Sequence, residues 1–306
     1  MAQTGPVWAN ATETKEQVGR IGVWLGALSR APWREAAAAA RRIEELGYRA
    51  LWLNETPGTK EPFAHAGMLL GVTERVVVAT GIANIWTRDA IAAGNAAYAL
   101  AEAHPGRFVL GLGVSHKPMV DSRGHTYDKP LTAMREYLDA MDAMPWAAPA
   151  PSVPVPVVLA ALRPRMLELS RDRTAGAHPY FIPVAHTAKA RSVLGDGPLL
   201  APEVSFMLET EPARARARGR EFAKLYLRLP NYTNNLRDLG YDDADLLDGG
   251  SDRLVDDVVA WGDAAAVAAR VREHLDAGAD HVCVQPVATD LAGSIDELER
   301  LAAELL

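Results

Sequence analysis

A single cysteine, Cys283, stands in a chain of 306 residues, so no intramolecular disulfide can form and a reducing cytoplasm is the expected setting. That thiol lies in the apolar run His281–Val287 and reads as a buried core group rather than a nucleophile. No apolar run reaches the roughly 18 residues of a membrane span, and Met1–Lys15 is polar and lacks the apolar stretch of an export signal. A surplus of basic residues is missing too. The net charge is −7, so nucleic acid is not an expected partner. The eight histidines never fall in H-x-H or H-E-x-x-H spacing, which leaves a zinc hydrolase little support and no metal site expected. There is no G-x-x-x-x-G-K-[ST], and Gly22, Gly26, Gly111 and Gly113 form no G-x-G-x-x-G opening a helix, so neither a P-loop nor a Rossmann site is indicated. Gly113-Val-Ser-His116 lacks the closing glycine of a serine-hydrolase elbow.

What is present is a soluble composition, 49% hydrophobic and 23% charged, able to bury a large core. The chain is organised around Val76–His116, where two β-rich runs flank an Ala-rich segment of helical length: a strand, a crossover helix and a parallel strand. Further strands are predicted at Arg20–Gly26, Ala50–Asn54, Val157–Leu162, Tyr180–Pro183 with Ala175, Val204–Leu208 and His281–Val287, with Gly176-Ala-His-Pro179 as a turn. Eight strand candidates alternating with helical segments close most economically into a (β/α)8 TIM barrel. Residues 1–19 form an N-terminal arm, loose or packed late on the body, and 20–306 a single domain. The polar stretch Glu211–Asp263, with little strand character, is an insertion between strands 7 and 8. Its arginines at 214, 216, 218 and 220 are two apart and spread over a solvated helix surface.

Side chains at strand ends point into a barrel's mouth. Here those ends carry Trp, Gly, Asn, Ser and His, with few paired carboxylates, which suits an aromatic cofactor that does the chemistry itself. Gly111 and Gly113 have two readings: a place where a cofactor nears the backbone, or relief of crowding in the barrel.

The segments Ala79-Thr-Gly-Ile-Ala-Asn-Ile-Trp86, Thr87-Arg-Asp89 and Pro105-Gly-Arg-Phe-Val-Leu-Gly-Leu-Gly-Val-Ser-His116 resemble the bacterial luciferase-like monooxygenase family, in its branch of F420-dependent oxidoreductases. Gly176-Ala-His-Pro-Tyr180, Pro230-Asn-Tyr232 and Ala277-Gly-Ala-Asp280 add to the resemblance, which runs from Arg20 to the C-terminus. It implies a luciferase-like barrel, a deazaflavin (coenzyme F420) or a flavin in the mouth, a small-molecule substrate and a homodimer. In members that use F420 the ring is backed by a bulge with a non-prolyl cis peptide, which maps onto Gly81-Ile82, beside Asn84. Gly176, Ala177 and His178 resemble a phosphate-cradling loop, and Ser115 and His116 resemble residues near the cofactor's ribityl chain or phosphate. Both histidines also read as loop-fixing hydrogen bonders. Several relatives carry Asp-His at the end of strand two, where this chain has Asn54-Glu55. Glu55 is therefore the candidate catalytic acid or base, or else a solvent-exposed loop carboxylate. Trp24 and Trp86 either wall the substrate side or belong to the core. The activity implied is hydride transfer between deazaflavin C5 and a small organic substrate. An FMN-dependent monooxygenase is the alternative, and a non-catalytic cofactor-binding protein a further one.

Overall fold

The computed structural model describes residues 8–288 and 290–306. Short apolar runs form parallel strands at Ile21–Trp24, Ala50–Leu53, Val77–Thr80, Phe108–Gly113, Val157–Leu159 and Gly176–Ala177. The seventh position is split around Ala201-Pro202 into Leu199–Leu200 and Glu203–Met207, and Val282–Pro286 is the eighth. The split is what closes the sheet. Leu199–Leu200 pairs with Gly176–Ala177, while Glu203–Met207 pairs with Val282–Pro286, which in turn pairs with the first strand. Traced strand by strand from Ser205, the register returns to the seventh strand at Gly197, eight residues earlier, the stagger of a (β/α)8 barrel.

Alternation along each strand sorts the core. Ile21, Val23, Leu51, Leu53, Val78, Phe108, Leu110 and Leu112 pack outward against the helices, whereas Ala50, Trp52, Val77, Ala79, Val109, Val158, Leu199 and Cys283 fill the interior. With the stagger applied, interior residues fall into layers of four from alternate strands. Cys283, Trp52, Gly111 and His178 form one. Glu203, Trp24, Gly81 and Ala160 form the next toward the mouth. Contacts agree: Trp52 stacks on His178 with ring centroids 4.4 Å apart, and Cys283 Sγ lies 3.9 Å from His178 Nδ1.

Of the two states expected for the N-terminal arm, loose or packed on the body, it takes the packed one from Trp8 onward: Ala11–Val18 is a helix capped by Asn10, and Val18 packs beneath the barrel's interior residues; residues 1–7 lie outside the described chain. Other expectations need correction. The sixth strand is Gly176–Ala177 itself, not Tyr180–Pro183. Gly176 allows this, because a Cβ there would come within 2.1 Å of Leu199 O. The insertion does contain a strand. Val259–Trp261 pairs in parallel with Ser205–Met207, on buried Val259 and Ala260, a run too short to show a period. Arg214, Arg216, Arg218 and Arg220 do lie on a solvated helix surface, where Arg214, Arg216 and Arg220 pair with carboxylates and Arg218 donates to Val287 O. The insertion packs its own apolar cluster, with Leu236, Leu254 and Val259 against Phe181 and Met207, over one side of the mouth. Among the described residues no helix is long and apolar enough to cross a membrane, and no group of three or more His, Cys, Asp or Glu could hold a metal ion.

Candidate active site

The third strand ends in a bulge. The Gly81-Ile82 peptide bond is cis, and the chain then runs through a two-residue strand, Ala83–Asn84, paired with the fourth strand. Three neighbours make room for it or hold it. Gly111 has no side chain because Thr80 O occupies the space: an added Cβ would lie 1.9 Å from that oxygen. Thr80 Oγ1 meanwhile donates to Gly111 O at 2.7 Å and accepts from Gly111 N–H at 2.9 Å. Gly113 leaves room for the Ile82 side chain, whose Cδ1 would be 2.5 Å from a Cβ. Of the two readings of these glycines, the structure shows relief of crowding. On the interior side, Trp24 Nε1–H donates to Gly81 O at 2.7 Å, and its indole lies against Gly81.

Glu55 sits behind the bulge. Its environment differs from the unpaired apolar mouth expected for an acid or base. Arg88 Nη1 and Nη2 donate to its two oxygens at 2.9 Å each, and Asn84 N–H donates to Oε2 at 2.7 Å. The side chain is 6% exposed, so the loop-carboxylate reading fails as well. A bidentate fork of this kind fixes a carboxylate in one position and orientation. Asn84 is buried, and its Oδ1 accepts from Trp86 N–H at 3.0 Å. Trp86 donates through Nε1 to Val114 O, which ties the bulge loop to the end of the fourth strand.

That end carries Ser115, in the left-handed region at φ 55°, and His116. The His116 ring is half-buried against Tyr232, centroids 5.3 Å apart, and burial lowers its pKa. Gly176, Ala177 and His178 are elsewhere. The expected phosphate-cradling turn is barrel wall, because its backbone is spent on the sheet: His178 N–H donates to Leu159 O, and Ala177 O accepts from Ala201 N–H. His178 points into the barrel, where Nδ1 bonds Ala201 O and Nε2 has no partner among the described residues. Here its loop-fixing reading becomes a core-fixing one.

Sequence reasoning missed a second set of mouth residues. Tyr180 packs on Trp24 at 5.2 Å and donates to Gln285 Oε1 at 2.7 Å; its hydroxyl also lies 2.7 Å from that of Tyr226. Tyr232 closes the same aromatic group from Pro230–Arg237. Below them is Glu203, 1% exposed. Ser205 Oγ lies 2.5 Å from its Oε1, and Phe181 N–H donates to Oε2 at 3.2 Å. Burial without a cation pushes this carboxyl up to about 7, against which the two hydrogen bonds act only in part. The signal was in the sequence: in Glu203-Val-Ser-Phe-Met207 the polar residues alternate, which marks an inward polar face on a barrel strand.

The mouth fits a flat aromatic cofactor. Its walls are Trp24, Tyr180 and Tyr232; Trp24 and Trp52 fill the space beside Gly81; and among the described residues the buried Nε2 of His178 is unsatisfied in the layer beneath. Comparison with known proteins agrees with this architecture. Over 212 residues the chain is 23% identical to 5,10-methylenetetrahydromethanopterin reductase of Methanolobus tindarius, covering 61% of this chain and 65% of that one. The chain spans less than two thirds of the length of the curated relatives it matches first. An F420-dependent secondary alcohol dehydrogenase in complex with an F420-acetone adduct superposes with a TM-score of 0.75 at 14% identity, over 94% of this chain and 99% of that one. The oxygenating constituent of 3,6-diketocamphane monooxygenase from Pseudomonas putida, with FMN, gives 0.67 at 15%, over 94% and 98%. These likenesses show the fold. The family model described as luciferase-like monooxygenase matches residues 12–281, and the chain belongs to that family.

Proposed function

We propose that this protein is an F420-dependent oxidoreductase that moves a hydride between the deazaflavin and a small organic substrate. The observation that carries the reading is the aromatic wall of the mouth, where the indole of Trp24, held by Gly81 O, packs on Tyr180 and Tyr180 on Tyr232. Kinship to a reductase and the resemblance of Ala79–Trp86 and Pro105–His116 to the F420 branch support it over an oxygenase. Trp24, Gly81 and Ile82 would face the ring, and Ser115 and His116 the ribityl chain or phosphate. Bound there, a deazaflavin supplies hydride exchange and reacts poorly with oxygen.

Glu55 belongs to the same proposal in a changed role. Clamped by Arg88, it holds Asn84 and thereby positions the bulge, leaving proton chemistry to another group. The working unit is proposed to be a cytoplasmic homodimer. Fluorescence titration with F420 and with FMN, followed by single turnover, tests the reading. F420 binding with hydride transfer supports it. FMN binding with oxygen consumption supports the monooxygenase alternative, and binding without turnover the non-catalytic one. Binding of neither removes all three.

A further inference from the structure

Two buried carboxyl groups flank the site, Glu55 behind the bulge and Glu203 below the aromatic group of the mouth, and their surroundings are opposite. Glu55 is held by a guanidinium. Among the described residues Glu203 meets one hydroxyl and one backbone N–H, and no cation. The titratable groups that face it are Tyr180 from the segment after the sixth strand, Tyr226 from the helix Pro212–Tyr226, Tyr232 from the helix Pro230–Arg237 and Cys283 from the neighbouring strand. None of these supplies positive charge at neutral pH. Its layer is that of Trp24 and Gly81, and Ser205, two residues on along the same strand, is the next inward side chain toward the mouth.

We infer that Glu203 and Ser205 form the proton relay of the active site: Glu203 holds the proton, and Ser205, 1% exposed before substrate binds, hands it through Oγ to the reacting oxygen of the substrate. The inference rests on the oxidoreductase reading above. In reduction of a carbonyl, hydride adds to carbon and the C=O π pair moves to oxygen. That oxygen takes the proton of Ser205 Oγ, Ser205 takes the proton of Glu203, and Glu203 is left as a carboxylate until solvent reprotonates it. Oxidation of an alcohol runs the same path backwards. Such a donor must hold its proton near the working pH, and a buried acid pushed up to about 7 does so.

The test uses the full chain. Infrared spectroscopy of the protein without cofactor should show a protonated-carboxyl band that titrates near neutrality and vanishes in Glu203→Gln. In single turnover with reduced F420 and a carbonyl substrate, Glu203→Gln should slow transfer by about 10²–10⁴-fold, flatten its pH profile and leave the F420 dissociation constant unchanged. Ser205→Ala should slow transfer while keeping the band, so the inference stays testable if Glu203→Gln does not fold. A band that is absent below pH 6, or a Glu203→Gln rate and pH profile equal to those of the parent protein, would overturn it. Because the band needs no cofactor, its outcome is separate from that of the cofactor titration.

Discussion

The indole N–H of Trp24 donates to the carbonyl oxygen of Gly81 at 2.7 Å, joining the first barrel strand to the bulge of the third across the interior. One hydrogen bond thus ties the bulge to the first strand and orients the indole. Trp24→Phe keeps the apolar surface and leaves the Gly81 carbonyl without that donor. It should cost about 1–2 kcal/mol in urea unfolding and weaken F420 binding about tenfold, with loss of the tryptophan quenching expected when F420 binds the parent protein. Unchanged quenching and affinity would remove Trp24 from the cofactor surface.

The Glu55–Arg88 fork gives an ordering that a catalytic Glu55 would not. Arg88→Met strands a buried carboxylate and should destabilise the fold by about 3–5 kcal/mol. Glu55→Gln still accepts from Asn84 N–H and should cost about 1–3 kcal/mol. Its hydride-transfer rate should fall only as far as cofactor affinity falls. A Glu55→Gln enzyme that binds F420 normally and transfers no hydride would restore the acid/base role.

Gly111 and Gly113 are two residues apart and should respond differently to the same substitution. A Cβ at Gly111 meets the backbone oxygen of Thr80 at 1.9 Å, while one at Gly113 meets the end of the Ile82 side chain at 2.5 Å. The backbone cannot step aside; the side chain can turn. Gly111→Ala should lose about 3 kcal/mol or more, and Gly113→Ala about 1 kcal/mol, measured by urea unfolding. Equal losses would mean that the bulge is not wedged against the fourth strand.

Acid should unfold the protein early. Burial lowers His65, His178, His186 and His281 to about 4 and His274 to about 3. A depressed folded pKa gives stability that is present above the unfolded value of 6.5 and lost as pH falls toward 4. Each such proton is worth about 1.4 kcal/mol per pH unit, so the melting temperature should drop steeply between pH 6.5 and 4.

Glu203 acts with the opposite sign. Its folded pKa is raised from 4.5 to about 7, so its stability contribution is full below 4.5 and lost as pH rises through 7. Glu203→Gln removes that loss. Relative to the parent protein, the variant should gain about 3 kcal/mol between pH 4.5 and 8, read as the difference between the two stability curves. A difference independent of pH would mean that the carboxyl does not titrate in that window.

The barrel was readable because its strands are apolar runs bounded by turn residues, and Ala79–Trp86 with Pro105–His116 placed the central unit without ambiguity. What failed was local. Gly176–Ala177 looked like a turn because glycine ordinarily breaks a strand, yet here only glycine fits against Leu199 O. Val259–Trp261 was invisible because three residues show no alternation. The site failed for another reason. Glu55 and Glu203 are the same residue type, and only tertiary contacts reveal that one faces Arg88 and the other, among the described residues, nothing positive. No spacing rule reaches 33 residues from Glu55 to Arg88.

Val259–Trp261 is stitched to the upper half of the strand that carries Glu203 and Ser205. Exchanging residues 208–263 for the corresponding loop of another family member would therefore not be a neutral transplant of a specificity cap. A chimera whose returning strand slips by one position turns Val259 and Trp261 to the opposite faces and pulls on the backbone beneath Ser205. Engineering for new substrates should cut on either side of that short strand and leave it in place.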